Sequence, residues 1–341
     1  MQLTPAPVGW PGALALHGAI ANRIADMIAM KTIATGLRFP EGPIAMADGS
    51  VILVEIEART LSRIGADGTR RVIAQLEGGP NGAALGPDGK VYICNNGGFA
   101  WIEDEHGLRP HGAPQGDPVG WIERVDLDTG AVERLHHGDG PVKFRGPNDI
   151  VFDRSGGFWF TDAGKVGPRM VHRGGVYYGR IDGSPLVEAV YPMWQANGIG
   201  LSPDEDRLYV AETVTGRLWA FDIAGPGQVR KEGFPSPHGG RLLAGMAGYR
   251  LFDSLAVDSA SNVCVATLMD GGLTVVSPDG SSVEHLPLPD RYVTNVCFGG
   301  PDLRTAYVTL SQSGTLVSFE WPRAGHRLNF AGRPVPAGGR I

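Results

Sequence analysis

The chain has 341 residues, 42% of them hydrophobic and 19% charged, and its formal net charge is −6. It is long enough to bury a large core, and without a stretch rich in Lys and Arg it argues against nucleic acid or anionic membrane as a partner. Its 51 Gly and 26 Pro are roughly twice their usual combined share; with no Gly-x-y period and no low-complexity tract, they predict many turns joining many short strands.

Residues 1–30 read as an extension ahead of one domain spanning 31–341. No basic region followed by an apolar core and a small-residue cleavage site predicts a secretory signal. Within "ALALHGAIANRIADMIAM" (13–30), Leu14, Leu16, Ile20, Ile24 and Ile28 have helix-like spacing and predict a short docked helix or arm. Nothing approaches eighteen consecutive apolar residues, so no membrane span is expected. Cys94, Cys264 and Cys297 are far apart and odd in number, which predicts buried free thiols in a reducing, cytoplasmic setting.

From residue 36 onward one junction recurs six times. Glu41 opens "EGPIAMADGSVILVE", Asn81 "NGAALGPDGKVYICN", Asn148 "NDIVFDRSGGFWFTD", Asn197 "NGIGLSPDEDRLYVAE", Asp253 "DSLAVDSASNVCVATL" and Asn295 "NVCFGGPDLRTAYVTL". In each, a carboxylate or amide heads a short alternating run, a polar or Gly-containing turn follows, and a second run returns. The intervals between these positions are 40, 67, 49, 56 and 42 residues. Repeats of that length made of short strands predict an all-β, six-bladed β-propeller, the first strand of each blade lining the central channel. Six side chains then converge on one channel mouth, and Glu55, Asn95, Asp162 and Glu212, at the ends of the returning strands, come back to the same face.

Two carboxylates and up to four amides offer oxygen ligands only. Such a set suits a hard divalent cation, Ca²⁺ above all, with Mg²⁺, Mn²⁺ or Zn²⁺ entering by exchange; zinc or copper by preference would call for His or Cys at these positions. Carboxylates gathered at a channel mouth repel one another unless a cation or proton neutralises them.

The segments "FPEGP", "GPNDIVFD…FTD", "ANGIGLSPDEDRLYVAET" and "FDSLAVD" resemble the gluconolactonase, regucalcin and luciferin-regenerating-enzyme family over about residues 36–320. The resemblance implies a six-bladed propeller with one divalent ion, commonly Ca²⁺, in the channel. It implies Glu41, Asn197 and Asp253 as ligands, Asn148 as a fourth ligand or substrate contact, and Asp253 as the base that takes a proton from attacking water. Two departures concern sugar recognition. Family aldonolactonases place an Arg two residues before the third-copy Asn, whereas Arg145 lies three before Asn148; and a family acid that touches sugar hydroxyls is replaced by Val166.

The expected function is metal-dependent opening of a lactone or related cyclic ester, the metal polarising the carbonyl and a general base activating water. The alternatives are an organophosphorus-type hydrolase, a lyase or isomerase on the same site, or a non-catalytic metal-stabilised binding propeller. No G-x-S-x-G elbow or dinucleotide motif competes. The long second repeat, "CNNGGFAWIEDEHGLRPHGAPQGDPVGWIE", predicts a lid or binding loop. Asn81, Asn96, Arg145 and Asn148 are candidate contacts for a small-molecule substrate, with Phe99, Trp101, Trp121 and Trp194 as an apolar lip. Oligomeric state is left open.

Overall fold

The computed structural model describes residues 29–116 and 118–331. These residues form a six-bladed β-propeller with no helix, and the helical arm expected over 13–30 lies outside them apart from its last two residues. The innermost strands are Pro40–Ala45, Pro80–Leu85, Pro147–Phe152, Ala196–Leu201, Leu251–Val257 and Val293–Gly299. Each pairs antiparallel with the strand that follows it in sequence and packs beside its counterparts in the neighbouring blades. Second strands such as Val51–Glu55 and Gly157–Asp162 are buried along their whole length; covered on both faces by adjacent blades, they read as continuous apolar runs rather than alternations. Outer strands such as Arg70–Gln75 and Val132–His137 are mostly exposed and charged, which protects an open sheet edge.

The ring closes by pairing the two ends of the domain. Lys31–Ala34 adds to Thr315–Glu320 as the outer strand of the sixth blade, with Thr32 opposite Val317. Beyond that blade, the C-terminal segment crosses the end of the propeller remote from the mouth. Ser259 N–H donates to the Ala324 carbonyl and His326 N–H to that of Val257, each at 2.9 Å. Asn329 donates to the Phe152 carbonyl at 3.0 Å, and Phe330 packs edge-on against Phe152, ring centroids 5.8 Å apart.

The local geometry shows why an amide or carboxylate can head a strand for which it has poor propensity. In all six innermost strands the register slips at the mouth end: between Glu41 and Ile44, Pro80 and Ala83, Pro147 and Ile150, Ala196 and Ile199, Phe252 and Leu255, and Val293 and Asn295. A bulge unpairs a residue and re-aims side chains. The first three copies also begin with Pro at the first strand position, where a missing N–H costs no ladder bond. The ring is tight. A Cβ on Gly82 would stand 2.5 Å from the Asn148 carbonyl, and one on Gly198 2.6 Å from the Asp253 carbonyl. Glycine at these positions lets neighbouring innermost strands approach.

Candidate active site

The mouth holds a cavity of about 310 Å³. Glu41, Asn81, Asn148, Asn197 and Asp253 line it, so five of the six repeat-heading side chains meet in one space. The sixth, Asn295, stands behind Glu41 and donates its amide to Oε2 at 2.7 Å; the Gly42 N–H reaches the same oxygen at 2.7 Å.

These groups are held out of water: Glu41 is 2% exposed, Asn197 6%, Asn148 8% and Asp253 9%. Burial raises the Glu41 carboxyl above its ordinary range, against the opposing pull of Asn295. Burial, and next the charge of Glu41, push Asp253 well above its ordinary value. A third acid, Asp149, lies beneath the cavity and is pushed up to about 7 by burial and then by Glu41. Its Oδ1 accepts the Ile150 N–H at 2.9 Å and its Oδ2 that of Ile199 at 3.4 Å. Asp149 therefore ties the strand carrying Asn148 to the strand carrying Asn197.

The Oδ1 atoms of Asn148 and Asn197 are buried without a hydrogen-bond partner, while Asn197 Nδ2 donates to the Thr213 hydroxyl at 3.0 Å. Buried polar atoms are normally satisfied. Two orphaned carbonyl oxygens facing two clustered carboxylates make a donor set that fits a hard cation. Among the described residues no group of three or more His, Cys, Asp or Glu has metal-holding geometry, so a cation here depends on the amides. The three thiols are buried and raised by that burial, and they take no part.

The residues ending the second strands have a different task from the ring. Each accepts backbone N–H groups from the segment that leads into its own blade's innermost strand. Glu55 holds Arg38 N–H at 2.9 Å, and Asn95 holds Gly79 N–H at 2.8 Å. Asp162 holds Gly146 N–H at 2.6 Å and Arg145 N–H at 3.1 Å; Glu212 holds Trp194 N–H at 2.7 Å. These clamps fix the approach to Glu41, Asn81, Asn148 and Asn197.

The remaining candidates are dispersed. Asn96 and Phe99 line the cavity. Trp101 stands against Phe39 and Phe99, ring centroids 5.2 and 5.8 Å away. Trp121 is buried in its blade, its indole N–H on Glu123 at 2.7 Å and Arg134 stacked on its ring. Trp194 is exposed beneath the Arg173 guanidinium. Arg145 engages its clamp through the main chain. Trp101, Trp121, Trp194 and Arg145 are not among the lining residues, whereas Lys165, Gln195, Thr213 and Tyr292 are. Phe39 and Gln195, each two residues before a repeat-heading side chain, have positive φ values of 58° and 50°. Such backbone strain in non-glycine residues gathers at functional sites.

Residues 39–312 match the family described as SMP-30/Gluconolactonase/LRE-like region. Lactonase drp35 of Staphylococcus saprophyticus is 26% identical over 245 residues, covering 71% of this chain and 68% of its own. The gluconolactonase of Zymomonas mobilis is 25% identical over 307 residues, covering 79% and 76%. Among solved structures, a gluconolactonase from Xanthomonas campestris shares the fold with a TM-score of 0.66 at 23% identity, covering 86% of this chain and 89% of that one.

Proposed function

The chain belongs to the SMP-30/gluconolactonase/LRE-like family, and from that premise we propose that it is a lactonase-like hydrolase that opens a lactone, or a related cyclic ester, in the cavity at the propeller mouth. The observation that carries this reading is the meeting of two buried carboxylates, Glu41 and Asp253, with the orphaned oxygens of Asn148 and Asn197. In this proposal the four hold one divalent cation, Ca²⁺ by the chemistry of its donors. When bound, the cation supplies electrophilic polarisation of the ester carbonyl.

The chain's own residues do the rest. Asp253 Oδ accepts the proton of the attacking water. Asn295 and the Gly42 N–H orient the Glu41 carboxylate, and Thr213 orients Asn197. Phe39, Ile56, Phe99, Leu268 and Tyr292 supply apolar wall for the substrate body. Val166 at the rim offers no partner for a sugar hydroxyl.

Turnover of a lactone panel, with and without chelator, tests the proposal. An aryl lactone such as dihydrocoumarin is expected to exceed glucono-lactone in kcat/KM after spontaneous opening is subtracted, because apolar walls gain little from hydroxyl-rich rings. Activity unaffected by thorough chelation would sink the metal assignment. A clear preference for glucono- or xylono-lactone would sink the apolar one.

A further inference from the structure

Four of the six repeat-heading residues are amides, and three of them have tasks already described. Asn295 donates Nδ2 to Glu41 and accepts the Val296 N–H at 2.7 Å, so both ends of its amide are committed. Asn197 donates Nδ2 to Thr213, and its Oδ1, like that of Asn148, is buried and unpartnered. Asn81 differs. It is 5% exposed and lines the cavity, yet among the described residues its amide makes no hydrogen bond, and its Oδ1 and Nδ2 stay open to the cavity. The backbone that carries it is firmly held. Just upstream, Asn95 Oδ1 accepts the Gly79 N–H and the Gly79 carbonyl accepts the Asn96 N–H, each at 2.8 Å. The register slip between Pro80 and Ala83 then re-aims the Asn81 side chain. Its strand packs between those of Glu41 and Asn148, so closely that a Cβ on Gly42 would stand 2.7 Å from the Asn81 carbonyl.

We infer that Asn81 is a further catalytic residue, its Nδ2–H donating to the ester carbonyl oxygen as that oxygen takes on negative charge, an inference that rests on the lactonase reading above. As the water oxygen bonds to the carbonyl carbon, a water proton passes to Asp253 and the carbonyl π pair moves onto the oxygen. When the ring C–O bond breaks, that pair re-forms the carbonyl and the proton passes from Asp253 to the departing alkoxide, leaving a hydroxy acid. The oxyanion forms in the cavity that Glu41 and Asp253 line, and their charges oppose it unless donors face it. The same charges draw the N–H end of an unbonded amide inward and push its oxygen away, which turns the Asn81 donor toward the reacting centre. A neutral amide does this without competing for the proton that Asp253 takes. Donors held ready in this way act on charge that develops only in the transition state, so their loss falls on kcat.

The test measures dihydrocoumarin hydrolysis, Ca²⁺ binding by calorimetry, and the binding of two unreactive analogues to the Ca²⁺-loaded protein. One is the matching lactam, which copies the ground state; the other is a benzo-fused cyclic phosphonate, whose tetrahedral anion copies the intermediate. Asn81→Ala is expected to lower kcat about a hundredfold and phosphonate affinity by at least about tenfold, with KM, lactam affinity and Ca²⁺ affinity within about threefold of wild type. Asn81→Asp, of the same shape with an oxygen in place of the donor, should lose at least as much kcat and phosphonate affinity while Ca²⁺ affinity is kept or increased. If kcat or phosphonate affinity stays within about threefold of wild type in both variants, the inference is overturned. It is also overturned if kcat and Ca²⁺ affinity fall together in Asn81→Ala and recover together in Asn81→Asp, which would make Asn81 a cation ligand. If wild type opens no lactone the lactonase reading fails by itself, and the phosphonate-to-lactam affinity ratio in the same three proteins still decides whether Asn81 holds a tetrahedral anion.

Discussion

Asn295 donates its side-chain amide to Oε2 of Glu41 at 2.7 Å, across the seam where the sixth blade meets the first. The two residues occupy equivalent places in their repeats but different layers of the site. One faces the cavity; the other supports it. A hydrogen bond to a charged group contributes about 1.5–3 kcal/mol. Asn295→Ala is therefore expected to weaken Ca²⁺ binding by about tenfold to a hundredfold, with the fold intact by circular dichroism. Asn148→Ala and Asn197→Ala, which remove proposed ligand atoms, should weaken it more, and Asn81→Ala less. Equal losses at all four would show that the ring serves folding alone.

Removing the cation should give stability a distinctive pH dependence. Glu41, Asp149 and Asp253 all have folded-state pKa values raised above their ordinary ones. Such groups hold more protons folded than unfolded, so stability is full below about pH 4 and falls as pH rises toward about 7, where Asp149 ionises. The buried His238 and the half-buried His136, His285 and His326, all lowered by desolvation, tilt stability the other way, downward as pH falls below about 6.5. They are present in both samples, so the comparison uses the Tm of Ca²⁺-loaded protein minus that of chelated protein. That difference is expected to grow from pH 4.5 to 7.5. A flat difference would remove the cation from the carboxylates.

Glu212 accepts three donors: Trp194 N–H at 2.7 Å, the Thr215 hydroxyl at 2.8 Å and the Trp219 indole at 3.0 Å. Orphaning a buried donor costs about 1–3 kcal/mol. Glu212→Ala should lower unfolding free energy by at least about 3 kcal/mol in urea titrations, with Glu212→Gln losing less because its carbonyl oxygen still accepts. If Glu212→Ala is as stable as wild type, the clamp is not needed to shape the approach to Asn197.

The strap at the far end should separate stability from catalysis. Phe330 is buried against Phe152, and truncating a buried Phe costs about 3–5 kcal/mol in a full core. Phe330→Ala, at the edge of its cluster, is expected to lose about 2–4 kcal/mol while kcat/KM at 20 °C stays within about twofold. A large loss of kcat/KM with unchanged Tm would mean that the far end is coupled to the mouth.

The architecture was legible because it is repeated. Six polar residues at one place in six alternating runs gave both the blade count and the converging ring, and the resemblance selected Glu41, Asn148, Asn197 and Asp253 from among equals. What was hidden depended on partners distant in sequence. Asn295 looks like Asn197 until Glu41, 254 residues away, is seen as its acceptor. Asp149 stands beside Asn148 in every reading, but only the neighbouring strand's Ile199 N–H shows that it faces inward. Lys165 lies in irregular backbone with no periodicity to mark it as a lining residue, and its bond to the Gly98 carbonyl crosses to another blade. The tryptophans of the second repeat show the converse: composition makes Trp121 look like a lip, yet the bulk that suits a lip also suits packing within a blade.

The pairing of Thr32 with Val317 ties the timing of synthesis to the making of the site. A chain emerging from the ribosome can form its first five blades one by one, each from local hairpins. The sixth must wait for the strand Thr315–Glu320, which then pairs with Lys31–Ala34, made far earlier. Until then Glu41 lacks Asn295, and the innermost strand that carries it lacks its neighbour from the sixth blade. Such long-range closure is intrinsically slow, and the unpaired edge is exposed to other chains meanwhile. A nascent chain stalled before residue 315 should therefore bind no cation at this site, and hydrolytic competence should appear in a single late step rather than blade by blade.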